Sequence, residues 1–234
     1  MKRIYILSQG TCSWQMVLAD PTLHWKRGAS AMELAVSWEL AAKTDSGLPQ
    51  PVANLLDQHP ATAGAQLLFG VPEHRVALPG AGRASQTDFW AVLRVSDGWV
   101  SLAVEGKAGE PFGPSIGEWL AEASSGKTTR LDALCRTLGL EARAIGELRY
   151  QLLHRSASAV LEASRIGART AVVLVQNFRP YSTCWPDFEA FVKRFGVAVN
   201  RGTIAEATCP GVDRLLFAWV DCTTATDADL ALAV

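Results

Sequence analysis

The run VSLAVEGKAGE, residues 100–110, holds residue types that could do chemistry together. Val100, Leu102 and Val104 repeat at strand spacing, which leaves Ser101, Ala103, Glu105 and Lys107 on the opposite face. A carboxylate and an ammonium two residues apart on one strand therefore point the same way. Upstream, Asp88 opens the strand-like run DFWAVLRV, and Asp97-Gly98 between the two runs is a hairpin signal. A turn there brings Asp88 close to opposite Glu105 or Lys107 across the pair. Two carboxylates and a lysine at one strand end suit hydrolysis of a phosphodiester. A hard divalent ion, Mg²⁺ or Mn²⁺, binds through one or two carboxylates plus waters and substrate phosphate, and it lowers the pKa of a bound water. A neighbouring lysine can hold that water and stabilise developing negative charge. The plainer alternative is a cross-strand salt bridge at a sheet edge, where lysine also deters edge pairing.

ELRYQLLHRSASAVLEASRIG predicts a long helix ending near Gly167. Tyr150, Leu153, Ala157, Val160 and Leu161 form its buried stripe, and Gln151, Arg155, Ser158 and Glu162 line up beside it. Gln151 could then contact a water or a phosphate, and Arg149, Arg155 and His154 could hold a substrate backbone. A solvated helix edge accounts for these residues equally well. Tyr150 is expected to pack in the core.

The elements that must position these residues can be read from periodicity and turn signals. GASAMELAVSWELAAKTDSG predicts a helix over residues 31–43, opened by a Ser30–Glu33 capping box, with Gly47 beyond its end. GLPQPVANLL reads as a connection, AQLLFGV as a short strand before Pro72, and LPGAGRAS as loop. Residues 111–143 are polar and glycine-rich, with one or two helices. TAVVLVQNF is a buried strand, DFEAFVKRFG a short amphipathic helix and RLLFAWVD a last strand. The order is that of a mixed α/β layer structure.

Two glycine motifs fail their tests. SSGKTT, residues 124–129, imitates a Walker A loop, but Ala121 stands where a glycine is required and GEWLAEA before it reads as helix. Gly80 and Gly82 in PGAGRA precede a strand, whereas a dinucleotide fingerprint follows one. The histidines have no zinc-ligand spacing. With 49% hydrophobic and 19% charged residues in 234, the composition is globular. A net charge of −1 excludes a global basic field of the kind that drives nonspecific nucleic-acid binding. Five dispersed cysteines without a C-x-x-C pair fit free thiols in a reducing compartment. The apolar run in MKRIYILSQG is too short for a signal-peptide core and no stretch approaches a membrane span, so a cytoplasmic location is expected.

Asp88, then Glu105-Gly106-Lys107 on the next strand, then a helix bearing Gln151, resembles the PD-(D/E)XK nuclease superfamily. The stretches RASQTDFWAV, VEGKAGEPFGPSIGEW, RLDALCRTLGL and RYQLLHRSASA are similar to one bacterial family of unknown function associated with it, so the likeness covers much of residues 25–190. Thr87 stands where the pattern's name has proline. The resemblance implies an α/β fold with an αβββαβ restriction-endonuclease-like core, a mixed central sheet flanked by helices. It implies one domain over residues 1–234, its core at about 30–180 and a C-terminal helix and strand appended. It also implies an acid on the first helix; Glu33 is accounted for by capping, which leaves Glu39.

The expected metal ligands are thus Glu39, Asp88 and Glu105, with Mg²⁺ or Mn²⁺ as cofactor. Lys107 and Gln151 act on the attacking water, and Arg149 and Arg155 hold the substrate. The expected activity is cleavage of DNA or RNA, with nucleic acid as partner, no membrane, and a homodimer as one assembly to be tested. The rival is a nuclease-like fold that binds nucleic acid or a protein without cutting. The acids are expected to be uncompensated without metal, so that removing them leaves stability unchanged.

Overall fold

The alternating runs around Asp97-Gly98 pair as expected. β2 (Ser85–Val95) and β3 (Gly98–Lys107) run antiparallel, with register from Val95–Gly98 to Phe89–Val104. Gly98 has φ 112 at this tight turn, a conformation open to glycine. The computed structural model describes residues 8–80, 82–122, 124–143, 145–179 and 183–233; the MKRIYIL start lies outside them.

β1 (Gln66–Val76) pairs antiparallel with the other side of β2. It continues through Pro72, where the sequence suggested a stop. β1 lies at the edge of the sheet, one of the few places a strand tolerates proline. β4 (Thr170–Asn177) pairs parallel with β3, and β6 (Val212–Asp221) parallel with β4; β5 (Ile204–Cys209) closes the other edge antiparallel to β6. The six-stranded order is β1-β2-β3-β4-β6-β5, a mixed sheet in an α/β architecture.

Helices cover both faces. On one side α1 (Thr11–Gln15), α3 (Ser30–Ala41) and α4 (Gln50–Leu56) bring Trp14, Trp38 and Leu55 onto Phe89, Leu102 and Val104. The short α2 (Pro21–His24) leads into α3. On the other side α6 (Ser125–Leu138), α7 (Tyr150–Ile166) and α8 (Trp185–Lys193) bring Leu134, Leu153 and Phe188 onto Ala103, Val173 and Phe217. β4 lies between the layers with every residue buried, which is why its middle, residues 171–175, is an unbroken apolar run. α5 (Ile116–Leu120) and α9 (Asp227–Leu232) are short additions.

Two local readings are corrected. Ser30 does not cap α3: Ala29 is the N-cap residue, with no side-chain cap. The Glu33 carboxylate instead accepts N–H bonds from Gly28 at 2.9 Å and Ala225 at 2.6 Å, tying the C-terminal segment to the helix. The GLPQPVANLL connection contains α4. Its prolines fall at the N-cap and in the first turn, where no intrahelical N–H is lost, and Val52, Leu55 and Leu56 are buried. Among the described residues no helix is long and apolar enough to cross a membrane, and all five cysteines are free.

Candidate active site

Side-chain alternation sorts β2 and β3 by face. Phe89, Leu102 and Val104 point to the α3 layer, so Asp88, Glu105 and Lys107 point to the α7 layer. One step beyond the Phe89–Val104 pair, the register sets Asp88 opposite Glu105. On the other side of β2, between the Pro72–Phe89 and His74–Thr87 pairs, it sets Glu73 opposite Asp88. Three carboxylates thus stand in a row across three strands. They line one wall of a cleft of about 630 Å³, with Lys107 beside them and Gln151 and Arg155 projecting from α7.

Hydrogen bonds join these groups into one cluster. Lys107 Nζ donates to Glu105 Oε1 at 2.9 Å and to Gln151 Oε1 at 3.2 Å. Gln151 Nε2 donates to Glu105 Oε1 at 2.6 Å. Arg155 Nε donates to Glu105 Oε2 at 2.7 Å, and its other nitrogens reach Ser85 Oγ at 3.0 Å and Asp88 Oδ1 at 3.5 Å. The Gly106 N–H donates to Asp88 Oδ2 at 2.9 Å.

The electrostatics separate the three acids. Burial would raise the Glu105 pKa, but Lys107 and Arg155 outweigh it and hold the carboxyl down at about 2. Asp88 is pushed well above the usual carboxylate range, by burial first and then by the charge of Glu105. Glu73 is raised to about 7, mainly by burial, with the Gln86 amide working against the shift. Burial would lower the Lys107 pKa, but Glu105 and Asp88 outweigh it and keep the ammonium protonated. Lys107 is therefore a donor here and not a base. Glu73 also has φ 51, a left-handed conformation unusual for a residue with a side chain.

Asp88, Glu105, Lys107 and Gln151 meet as expected, and three other assignments are corrected. Glu39 is not in the cleft. Its helix packs on the opposite face of the sheet and presents Ser30, Ala31 and Leu34 to the cleft, while Glu39 lies more than a turn further along. Its carboxylate accepts from the Trp14 indole at 2.9 Å and from the Ser8 hydroxyl. Arg149 is also outside, with Nε 3.0 Å from the Asp187 carboxylate and Nη1 bonded to the Gly113 carbonyl at 3.1 Å. Arg155 is in the cleft, but as the buried counter-charge of Glu105 and Asp88 and not as an exposed substrate clamp. Glu73 was missed. Its signal was an acid placed directly after a proline that sits within an apolar strand.

A magnesium-type ion needs oxygen ligands, typically one or two carboxylates with waters and substrate oxygens. Asp88 fits: Oδ1 has only the long Arg155 contact, and its ionised form is penalised by burial and by Glu105. Glu105 has the right chemistry but less room, because both its oxygens are taken by N–H donors that a metal ion would have to displace. Among the described residues no group of three or more His, Cys, Asp and Glu side chains could hold a metal ion, so neither a set with Glu39 nor the row of Glu73, Asp88 and Glu105 forms a three-acid site.

Fold and site together define a mixed α/β domain with a charged cleft at its strand ends. The chain belongs to the family described as Domain of unknown function (DUF6946), whose model matches residues 7–224. No curated protein and no solved structure matches it.

Proposed function

We propose that the chain is a metal-dependent nuclease of the PD-(D/E)XK type, hydrolysing phosphodiester bonds of DNA or RNA. The observation that carries this reading is the meeting of Asp88, Glu105, Lys107 and Gln151 in one hydrogen-bonded cluster inside a cleft. Asp88 and Glu105 would hold Mg²⁺ or Mn²⁺, which supplies a bound water of lowered pKa and charge stabilisation on the scissile phosphate. Lys107, kept protonated by its acid neighbours, donates to the attacking water or to a phosphate oxygen. Gln151 fixes both Lys107 and Glu105 through its amide. Glu73, poised near neutrality in the same cleft, takes the proton from the water. Arg155 holds the two ligand acids in place. In this reading the partner is nucleic acid and the site of action the cytoplasm, in line with five free thiols. A homodimer is compatible with it, and sedimentation reads that out.

One observation favours a second reading, a nuclease-like fold that binds nucleic acid or a protein without cutting. Arg155 already bridges both acids with a positive charge. Incubating the purified protein with DNA and RNA, in Mn²⁺ and in EDTA, separates the two. The nuclease reading expects cutting only with metal, abolished by Lys107→Ala with metal binding retained, and weaker metal binding in Asp88→Ala. Absence of both cutting and metal binding transfers the conclusion to the second reading.

A further inference from the structure

A second concavity, of about 370 Å³, lies on the other flank of α7. Gln151 and Arg155 line the cleft, whereas Tyr150 and His154, each one residue earlier, line this pocket. Its remaining walls join the two glycine motifs that meet neither nucleotide-binding pattern. Gly82 and Arg83 come from PGAGRA, Lys127 from SSGKTT, and Arg130 follows on α6. Among the described residues no carboxylate lines it.

Arg130 is the telling residue. It is 6% exposed, its Nη1 donates to the Arg83 carbonyl at 2.7 Å, and its Nε has no hydrogen-bond partner among the described residues. The guanidinium also hydrogen-bonds the Tyr150 hydroxyl, but its buried Nε–H is left over, and a buried donor without an acceptor is costly and calls for one. The glycine loop lies directly on it. Gly82 has φ 116, and a Cβ there would stand 3.2 Å from the Arg130 guanidinium. Lys127 Nζ is held by the Trp119 carbonyl at 2.7 Å, and Trp119 stacks on Tyr150 at 4.0 Å. An ammonium has three hydrogens, so two remain for a ligand. Ser85 Oγ accepts from Arg155 at 3.0 Å and lies 2.9 Å from His154 Nδ1. Burial first, then Arg155, pushes the His154 pKa down to about 3, so the ring is neutral. Donation by the Ser85 hydroxyl to Nδ1 then leaves the Nε2 hydrogen as a further donor.

We propose that the pocket formed by Arg83, Lys127, Arg130 and His154 binds a phosphate group. Three cations without an acid exceed what one carboxylate ligand would neutralise, whereas a phosphate monoester carries about −1.5 to −2 charges near pH 7. The site goes beyond the nuclease reading and requires no metal. Its phosphate comes either from a nucleic-acid end or from a free nucleotide.

The test titrates inorganic phosphate into the full chain in EDTA, followed by melting temperature and calorimetry, with chloride at matched ionic strength as reference. Phosphate should stabilise saturably and chloride should not. The double variant Arg83→Ala/Lys127→Ala, at exposed and half-buried positions, should keep the wild-type circular dichroism and bind phosphate roughly tenfold more weakly or worse. Lys107→Ala should leave phosphate affinity unchanged. Equal responses to phosphate and chloride overturn the proposal, as does loss of binding in Lys107→Ala but not in the double variant, which would place the anion in the cleft. A 5′-phosphorylated oligonucleotide and a nucleoside monophosphate, each compared with its unphosphorylated form, then identify the source. Preference for the phosphorylated strand assigns a nucleic-acid end, and preference for the mononucleotide assigns a free nucleotide. Indifference to the phosphate in both overturns the site. Because every arm is run in EDTA, loss of nuclease activity and loss of this site are read separately.

Discussion

Replacing Arg155 by methionine tests the electrostatic logic of the cleft, because it keeps much of the side chain's length and deletes only its charge and donors. The side chain is about 10% exposed and its Nε lies 2.7 Å from Glu105, so the change leaves a buried carboxylate short of one counter-charge. Removing one partner of a buried ion pair costs about 3–5 kcal/mol. Lys107 remains 2.9 Å from the other oxygen of Glu105, which places the expected loss near the lower end, about 3 kcal/mol. For a chain of this size that corresponds to a fall of roughly 6–12 °C in melting temperature. In EDTA the variant should show this fall. If Asp88 and Glu105 hold a divalent ion, Mn²⁺ at about one hundred times its dissociation constant returns about 2.7 kcal/mol. The gain should exceed that of the wild type, in which the ion competes with the guanidinium. Scanning calorimetry of both proteins, with Mn²⁺ and with EDTA, reads this out. A variant melting within about 2 °C of wild type in EDTA would refute the counter-charge argument. A destabilised variant indifferent to Mn²⁺ would refute the metal site.

Glu73 is raised to about 7, so the folded state binds its proton more tightly than the unfolded chain does. That carboxyl costs stability as pH rises from about 4.5 to 7. Glu73→Gln should remove this loss, measured as melting temperature across that window. Glu105 is held at about 2, so its contribution is present above about 4.5 and lost as pH falls toward 2; Glu105→Gln should melt lower than wild type at pH 7 and converge with it in acid. Gly70→Ala should cost at least about 1–3 kcal/mol. Its Cβ would lie 2.1 Å from the ring of Phe89, which is itself wedged against Trp14 and Trp38, and a urea midpoint shift at constant m-value measures the cost. Thiol titration in denaturant without reductant should find all five cysteines, and a shortfall would indicate a disulfide.

What local pattern controls was legible in the sequence. The β2–β3 turn, the period of α7 and the shared face of Glu105 and Lys107 follow from alternation and glycine placement, and they carry Asp88, Glu105, Lys107 and Gln151 to one place. What distant chain supplies was not. Glu39 looked available because its partner, Trp14, comes from a separate short helix 25 residues earlier. Arg155 looked like a helix-edge cation, since nothing local indicates that its turn of α7 lies over the acids. Glu73 was hidden because strand β1 was expected to end at Pro72, and only its edge position allows the strand to continue. The expectation that the acids stand uncompensated fails for Glu105 for the same reason: its second counter-charge arrives from 50 residues away.

That separation along the chain has a consequence for folding. Strands β1, β2 and β3 form a meander of neighbouring hairpins, whose contacts close over short loops. The same meander lines up Glu73, Asp88 and Glu105, with Lys107 and, for Glu73, Arg75 to counter them. Arg155, 67 residues beyond Asp88, arrives only when α7 docks and the chain crosses over into β4. Mutual repulsion among the carboxylates therefore opposes early consolidation of that strand end, and the slow, non-local step is the one that relieves it. A chain that has not completed the crossover has the acids but no organised cleft, so the functional site and this non-local crossover form together.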